Sequence, residues 1–171
     1  THLATLGHEH IGLLIGPSRY AVAAAMTSGY RKAMAEHGLE CEEGFISATL
    51  FTFEGGQAGT ARLLEAGVSG IVAGSDLMAL GAISAVRLWG GSVPGDISVV
   101  GFDGTPQVAY TDPPLTTLRQ PVGRMAAAVT SMLVAEIGGA TTPHTQIFRP
   151  ELVVGGSTAR VRSAPPRGDL T

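Results

Sequence analysis

Three polar side chains follow two short apolar runs of this sequence. Ser75 and Asp76 come shortly after the run 70–73, and Asp103 follows the run 97–101. Both runs are too short for a helix and contain β-branched residues, so each predicts a buried strand. An ionised aspartate accepts hydrogen bonds, and a serine hydroxyl both donates and accepts them. These residue types at strand ends predict a site for a small molecule that carries hydroxyl groups.

Residue patterns for catalysis or metal binding are missing from the sequence. No G-x-S-x-G, H-E-x-x-H or phosphate-binding-loop pattern occurs. His8 and His10 are spaced for one strand face, but without acidic or thiol partners they are interpreted as surface histidines. Cys41, the single cysteine, has no recognisable activating neighbour and is interpreted as inert. We therefore expect no catalytic residues, no metal and no cofactor.

The elements around the polar residues indicate a parallel sheet. Residues 77–89 have the pattern of a helix that ends at Gly90 and Gly91, and Ser75 or Asp76 can cap its start. A strand, a helix and a strand within about thirty residues form a βαβ unit with a right-handed crossover. Ligands of open α/β sheets bind beyond the carboxyl ends of the strands, where the polar residues lie.

The same alternation continues along the rest of the chain. Further strands are predicted at 11–15, 44–50, 115–119, 146–149 and 152–154, and further helices at 18–37, 57–66 and 121–137. Residues beyond 158 show no periodicity, which predicts a disordered tail.

Composition excludes two classes of partner for this chain by itself. The net charge is −3 with a single lysine, Lys32, so no basic face exists that could hold the phosphates of DNA. No apolar run reaches the ~18 residues of a transmembrane helix, and we expect no membrane partner. The hydrophobic content of 44% suffices for a folded core.

Three blocks of the sequence closely resemble a known protein family: SDLMALGAISAV, VPGDISVVGFDG and DPPLTTLRQP. They are similar to the effector-sensing domain of the lac repressor (LacI) family of bacterial transcription regulators, over residues 6–158. The resemblance implies an α/β fold like that of periplasmic binding proteins, with parallel open sheets that carry helices on both faces. Two such lobes enclose a ligand in the family, and a helix-turn-helix headpiece lies upstream.

The family also implies a division of the chain into parts. Residues 6–113 correspond to the C-terminal lobe, and 114–146 to part of the N-terminal lobe, namely a crossover strand and a helix. Residues 147–158 correspond to the strand that returns to the C-terminal lobe, and 159–171 to the disordered tail. The rest of the N-terminal lobe and the headpiece have no counterpart in the sequence, so we expect this chain to be a fragment.

The resemblance assigns ligand contacts to several residues. Asp103 matches the aspartate that accepts hydrogen bonds from effector hydroxyls, and Ser75 matches a polar position that faces the ligand. Asp76 is interpreted as a structural cap. Phe51 matches the aromatic ring that stacks on the effector, with Phe53 as the neighbouring alternative.

The loop after the first strand departs from the family pattern. Met26 stands where the family often has an arginine, and a thioether cannot bond a hydroxyl or an anion in that way. Arg19 and Tyr20 are close enough in the sequence to compensate, and Tyr20 occupies a position that some members use for ligand. A neutral effector is therefore favoured over one that bears phosphate or carboxylate.

The helix predicted at 77–89 has apolar residues around most of its circumference, more than one sheet face requires. The family dimerises partly through this helix, with the region of Tyr110 beside it. The predicted homodimer interface consists of Leu77, Leu80, Ser84, Leu88 and Tyr110.

Two functions fit this fold. The first is the ligand-sensing, dimerising module of a cytoplasmic regulator that binds a small carbohydrate or similar polyol and contacts operator DNA through the headpiece. The alternative is an extracytoplasmic sugar-binding protein that delivers to a transporter. A doubly wound enzyme is a third reading and would require detectable turnover. The LMALGA and DPPLTTLRQP blocks favour the regulator.

Overall fold

One six-stranded sheet organises the protein, for which the computed structural model describes residues 1–141, 143 and 145–161. The strands are β1 (Ile11–Ile15), β2 (Ile46–Ala48), β3 (Gly70–Ala73), β4 (Ser98–Asp103), β5 (Thr116–Arg119) and β6 (Glu151–Val153). Their order across the sheet is β2-β1-β3-β4-β5-β6. The first five are parallel, and β6 is antiparallel to β5.

Helices cover both faces of this sheet. They are α1 (His2–Thr5), α2 (Ala21–Glu36), α3 (Phe53–Glu65), α4 (Asp76–Leu88) and α5 (Val122–Ile137). Leu63 of α3 and Val86 of α4 pack in one core cluster, while Leu3 of α1 and Met34 of α2 pack in a second. All five residues of β1 are buried, as expected for a strand with helices on both sides. The predicted α/β fold with helices on both faces is confirmed.

Two glycines bring α3 and α4 into backbone contact. A Cβ on Gly81 would lie 2.1 Å from the carbonyl oxygen of Phe53, and one on Gly56 would lie 2.3 Å from that of Met78. Only residues without a side chain fit this crossing. The contact fixes the start of α4 against α3, and with it the position of the polar residues that follow β3.

Several predicted element boundaries shift. Helix α3 begins at Phe53 rather than at 57, because the Thr52 side chain accepts a hydrogen bond from the backbone N–H of Gly55 (3.0 Å). The strand predicted at 44–50 is shorter, since a 3-10 turn, Glu43–Phe45, precedes β2. No strand forms at 146–149.

The predicted lobe boundary after residue 113 is wrong for the first part of 114–146. Leu115 belongs to the core, with 3% exposed, and β5 pairs with β4 in register from Val100↔Thr116 to Asp103↔Arg119. The chain therefore leaves the sheet after Arg119. Within 114–146, α5 is the element that stands apart from the sheet.

The chain returns to the sheet at β6 and continues along it. Ser157 is buried, and its hydroxyl donates to the carbonyl oxygen of Val99 (2.6 Å). The backbone N–H of Ala159 donates to Ser98 Oγ (3.0 Å), and that of Val161 donates to the carbonyl oxygen of Leu6 (3.1 Å). The predicted disordered tail at 159–171 is thus wrong for residues 159–161, and residues 162–171 lie outside the described residues.

Helix α5 has no buried residue, although it is strongly apolar. Its large exposed side chains are Val122, Val129, Leu133, Val134 and Ile137. Across the described ranges, no helix has both the length and the apolar character that a membrane crossing requires.

Candidate functional site

Asp103 stands at the carboxyl end of β4, where it pairs in register with Arg119 at the end of β5. Its φ of +121° lies in a region that side chains other than glycine rarely adopt. Such a conformation costs about 1–3 kcal/mol and is concentrated at binding sites. Two hydrogen bonds from Gln120 hold it: the side-chain Nε2 donates to Asp103 Oδ1 (2.8 Å), and the backbone N–H donates to the Asp103 carbonyl oxygen (3.0 Å).

The Asp103 carboxylate is partly buried, and its surroundings change its pKa. Burial raises the pKa of Asp103 above its ordinary value, and the neighbouring charge of Asp76 raises it further. The bonds from Gln120 and from the backbone N–H of Asp76 act in the opposite direction. A partly desolvated carboxylate gains from further hydrogen-bond donors, such as a hydroxyl group.

Ser75 and Asp76, at the start of α4, have different structural roles. The Ser75 hydroxyl oxygen accepts from the backbone N–H of Met78 (3.1 Å) and caps the helix, as predicted. Asp76 is 2% exposed, and its carboxylate accepts from the Thr105 backbone N–H (2.7 Å) and from the hydroxyls of Thr105 (3.0 Å) and Thr117 (2.5 Å). It therefore fixes the segments after β4 and within β5 rather than capping the helix.

Phe51 lies over the ends of two strands. Ideal Cβ atoms built on Gly16, after β1, and Gly74, after β3, would lie 1.9 Å and 3.0 Å from the Phe51 ring. The ring therefore rests directly on glycine backbone between these strands, at the same edge of the sheet as Ser75. Phe53, the alternative, is the first residue of α3.

Tyr20 and Arg19 extend the row that begins at Phe51. The ring centroids of Tyr20 and Phe51 are 6.3 Å apart with their planes at 52°. The Arg19 guanidinium lies 4.9 Å from the Tyr20 ring centroid, and one of its N–H groups donates to the Tyr20 hydroxyl (3.4 Å). The structure thus brings together Phe51, Tyr20 and Arg19 as one group.

Gln120 was not among the residues predicted for the site. It directly follows β5 and borders, with Asp103, Arg119 and Arg124, a cavity of about 590 Å³. Its position after a predicted strand was the available signal, since Ser75 and Asp103 follow strands in the same way. A separate, mainly apolar cavity of about 700 Å³ lies between α1, α2 and the sheet, and Met26 lines that cavity.

The histidine prediction is half wrong. His10 is exposed, but His8 is 4% exposed. Its Nδ1 lies 2.9 Å from Ser69 Oγ and its Nε2 lies 3.1 Å from the carbonyl oxygen of Ala159, which can only accept. The Nε2–H therefore donates to this carbonyl oxygen. Among the described residues, no group of three histidine, cysteine or acidic side chains is arranged to hold a metal.

The residues predicted for a dimer interface divide into two groups. Leu77, Leu88 and Tyr110 are exposed by 50%, 79% and 89%. Leu80 and Ser84 are half-buried, Leu80 against the core and Ser84 as acceptor of a hydrogen bond from Gln57 Nε2 (3.0 Å).

The opposite side of α4 belongs to the core. Met78, Ile83 and Val86 are buried there. Tyr110 is the last residue of a 3-10 helix, Pro106–Tyr110. The Arg87 side chain donates to the carbonyl oxygen of Asp112 and so links the segment after this helix to α4.

The chain is similar to known regulators over almost its whole length. Residues 1–158 match the periplasmic binding protein-like domain model. The chain is 51% identical over 163 residues to an HTH-type transcriptional regulator in the aml 5′ region of Streptomyces limosus, covering 93% of this chain and 46% of that protein. It is 46% identical to the HTH-type transcriptional regulator MalR of Streptomyces coelicolor, covering 96% of this chain and 48% of that protein.

Solved structures show the same similarity. The transcriptional regulator CelR in complex with cellobiose superposes with a TM-score of 0.86 at 33% identity, covering 91% of this chain and 49% of that chain. A dimeric lac repressor superposes with a TM-score of 0.87 at 28% identity, covering 94% of this chain and 59% of that chain. The present chain spans about half the length of the curated relatives it matches.

Proposed function

The chain belongs to the periplasmic binding protein-like family, as the effector-binding domain of a LacI-type transcriptional regulator, and from this membership we propose that it binds a small, neutral carbohydrate. The observation that carries the proposal is the conformation of Asp103. Its unfavourable backbone is held by Gln120, and its carboxylate stands at the edge where parallel α/β sheets bind ligands.

The chemistry of this edge matches a polyhydroxylated ligand. The Asp103 carboxylate accepts from hydroxyls, and the Gln120 side chain and the Ser75 hydroxyl add further hydrogen-bonding groups. Phe51 and Tyr20 offer rings on which the C–H faces of a sugar pack. Support comes from the CelR structure, a similar protein with bound cellobiose. Met26 stands where the family often has an arginine, and its thioether carries no charge for an anionic effector.

A regulator is favoured over the binding component of a transporter. The relatives at 46–51% identity are HTH-type transcriptional regulators, and none of their names describes a transport protein. In this proposal the protein acts in the cytoplasm without catalysing a reaction, and a helix-turn-helix headpiece contacts operator DNA. The net charge of −3 agrees with DNA contacts that lie outside this domain.

The proposal includes a second lobe. The sheet with residues 6–119 and 147–158 forms one lobe, and α5 packs on the other through its exposed apolar side chains. Each such side chain gains roughly 1.5–3 kcal/mol on burial, so a full stripe in water would be a large loss. Closure of the two lobes on the effector then changes the affinity for operator DNA.

The proposal also includes a homodimer. The partner covers the outer side of α4 with Leu77 and Leu88, which lie at helical spacing, and the adjoining loop with Tyr110, while Leu80 and Ser84 lie at the edge of this surface. Support comes from the exposure of these apolar side chains and from the dimeric lac repressor among the similar structures. An exposed apolar patch with polar surroundings is typical of a protein interface.

The proposal is tested by calorimetric titration of the full-length protein with monosaccharides and disaccharides, which measures their affinities. Asp103→Asn removes the charge of one hydrogen-bond acceptor, and we expect a loss of about 1.5–3 kcal/mol, or more than tenfold in affinity. Asp112→Asn is the matched control, because Asp112 is exposed in the loop before β5, and we expect its affinity to equal the wild type. Unchanged binding by Asp103→Asn would remove this residue from the site, and a wild-type protein that binds no sugar would overturn the function.

A further inference from the structure

The positions of Phe51 and Tyr20 point to a carbohydrate of at least two linked sugar rings. We infer that the Tyr20 side chain stacks on the second sugar ring. This inference rests on the proposed function, because it concerns the same edge of the sheet. It adds the class of ligand, which the hydrogen-bonding residues alone leave open.

The first argument is the length of the site. Tyr20 follows β1 and Gln120 follows β5, and these strands are separated by β3 and β4. Three strand spacings place β1 and β5 about 14 Å apart. A single pyranose has roughly the dimensions of one aromatic ring with its substituents. A ligand that extends along this edge from the end of β5 to the end of β1 is therefore longer than one pyranose.

The second argument is the arrangement of the two rings. Their centroids are 6.3 Å apart and their planes are inclined by 52°, so they present two separate surfaces rather than one continuous plane. Consecutive pyranoses joined by a glycosidic bond are likewise separate rings that are rotated relative to each other. Each ring of such a ligand can therefore pack its C–H face on one aromatic side chain.

The third argument is that Tyr20 is far more exposed than the buried Tyr30. Tyr30 is 8% exposed, and its hydroxyl donates to the carbonyl oxygen of Ile11 (2.7 Å). Tyr20 is 46% exposed, and its hydroxyl accepts from the neighbouring Arg19 (3.4 Å). The Arg19 guanidinium lies against the ring and orients it. An exposed, oriented ring at the binding edge is suited to stacking.

The test compares glucose with cellobiose, maltose and their trisaccharides by calorimetry on the protein as its gene encodes it. We expect at least one of the longer sugars to bind more tightly than glucose. Tyr20→Ala should lower the affinity for that sugar about 3- to 10-fold and reduce its preference over glucose. Tyr20→Phe keeps the ring and should retain the preference. Circular dichroism melts verify that both variants are folded.

The outcomes separate this inference from the proposed function. Glucose binding as tightly as every longer sugar, or an unchanged preference in Tyr20→Ala, would overturn the inference and leave the function intact. An equal loss in Tyr20→Phe and Tyr20→Ala would assign the effect to the hydroxyl and overturn stacking. Failure of the wild type to bind any of these sugars would overturn the proposed function and this inference together.

Discussion

Asp76 and Asp103 are near neighbours with opposite roles. The Asp76 carboxylate is buried and receives three hydrogen bonds from Thr105 and Thr117, so it has little capacity left for a ligand. Asp103 is half-buried, with Gln120 on one oxygen, and its carboxylate keeps acceptor capacity. Because Asp76 anchors Thr105, it also fixes the loop that follows Asp103. The Asp76 carboxylate therefore helps to position the Asp103 carboxylate, which keeps acceptor capacity.

His8 makes the stability of the fold dependent on pH. Burial lowers its pKa below the ordinary 6.5, and the nearby His2 lowers it further, although the bond to Ala159 acts in the opposite direction. Below pH 6.5 the unfolded chain therefore binds more protons than the folded one, and the free energy of unfolding falls as the pH falls. We expect the urea midpoint to be lower at pH 5 than at pH 7.5.

Two variants isolate this effect in urea titrations at both pH values. His8→Gln removes the buried imidazole and should reduce the difference between the midpoints. His37→Gln removes an exposed imidazole at the end of α2 and should keep it. An undiminished difference in His8→Gln would show that other groups cause the acid sensitivity.

At the scale of elements, helix α4 has two apolar sides, one buried in the core and one exposed. One side is buried in the core, and the glycine crossing with α3 holds the helix in place, while Leu77 and Leu88 are exposed. We predict that Leu88→Glu weakens the dimer by about 2 kcal/mol or more, roughly 30-fold in its dissociation constant, because a charge would be placed in an apolar interface. Sedimentation equilibrium measures the effect.

The control for this experiment lies on the opposite face of the sheet. Val22 of α2 is 51% exposed, and Val22→Glu adds the same charge at another exposed apolar position. We expect its dimer to match the wild type. Equal dissociation constants for Leu88→Glu and the wild type would exclude this side of α4 as the interface.

The elements that sequence predicts well are those with local signals. β1 and β3 are continuous apolar runs, and Ser75 caps α4 as its position suggests. The start of α3 was missed because Gly55 and Gly56 resemble a loop in sequence, whereas their small size serves packing. Their Cβ positions are occupied by the backbone of Leu50 and Met78, and such contacts between distant segments leave no local pattern.

The candidate ligand site is also predicted only where its residues have a local sequence signal. Asp103 and Ser75 were predicted because residues at strand ends share one edge of a parallel sheet. Gln120 is not predicted because its role depends on the pairing of β4 with β5, and the resemblance to the family placed these two strands in different lobes. The burial of His8 depends on Ala159, at the far end of the described chain, and local patterns contain no information about that contact.

At the scale of the whole molecule, one segment leaves the sheet and comes back to the place it left. Arg119, the last residue of β5, is the register partner of Glu151, the first residue of β6. Everything between them, including α5, is attached through two neighbouring antiparallel strands. The sheet and its two core clusters do not depend on the buried contacts of α5, since it has none.

Because Arg119 is paired with Glu151, the segment between them can be removed while the sheet is kept. A two-residue Asn-Gly turn that joins Arg119 directly to Glu151 replaces residues 120–150 with a β-hairpin, because opposed residues in antiparallel strands are the natural ends of such a turn. We expect the shortened chain to unfold cooperatively in circular dichroism melts. The matched variant that joins Arg119 to Leu152 shifts the register by one residue and turns every β6 side chain to the wrong face, so it should melt at a lower temperature. Equal melting of the two variants would contradict this, whereas the expected difference would yield a single-lobe scaffold into which other segments can be inserted.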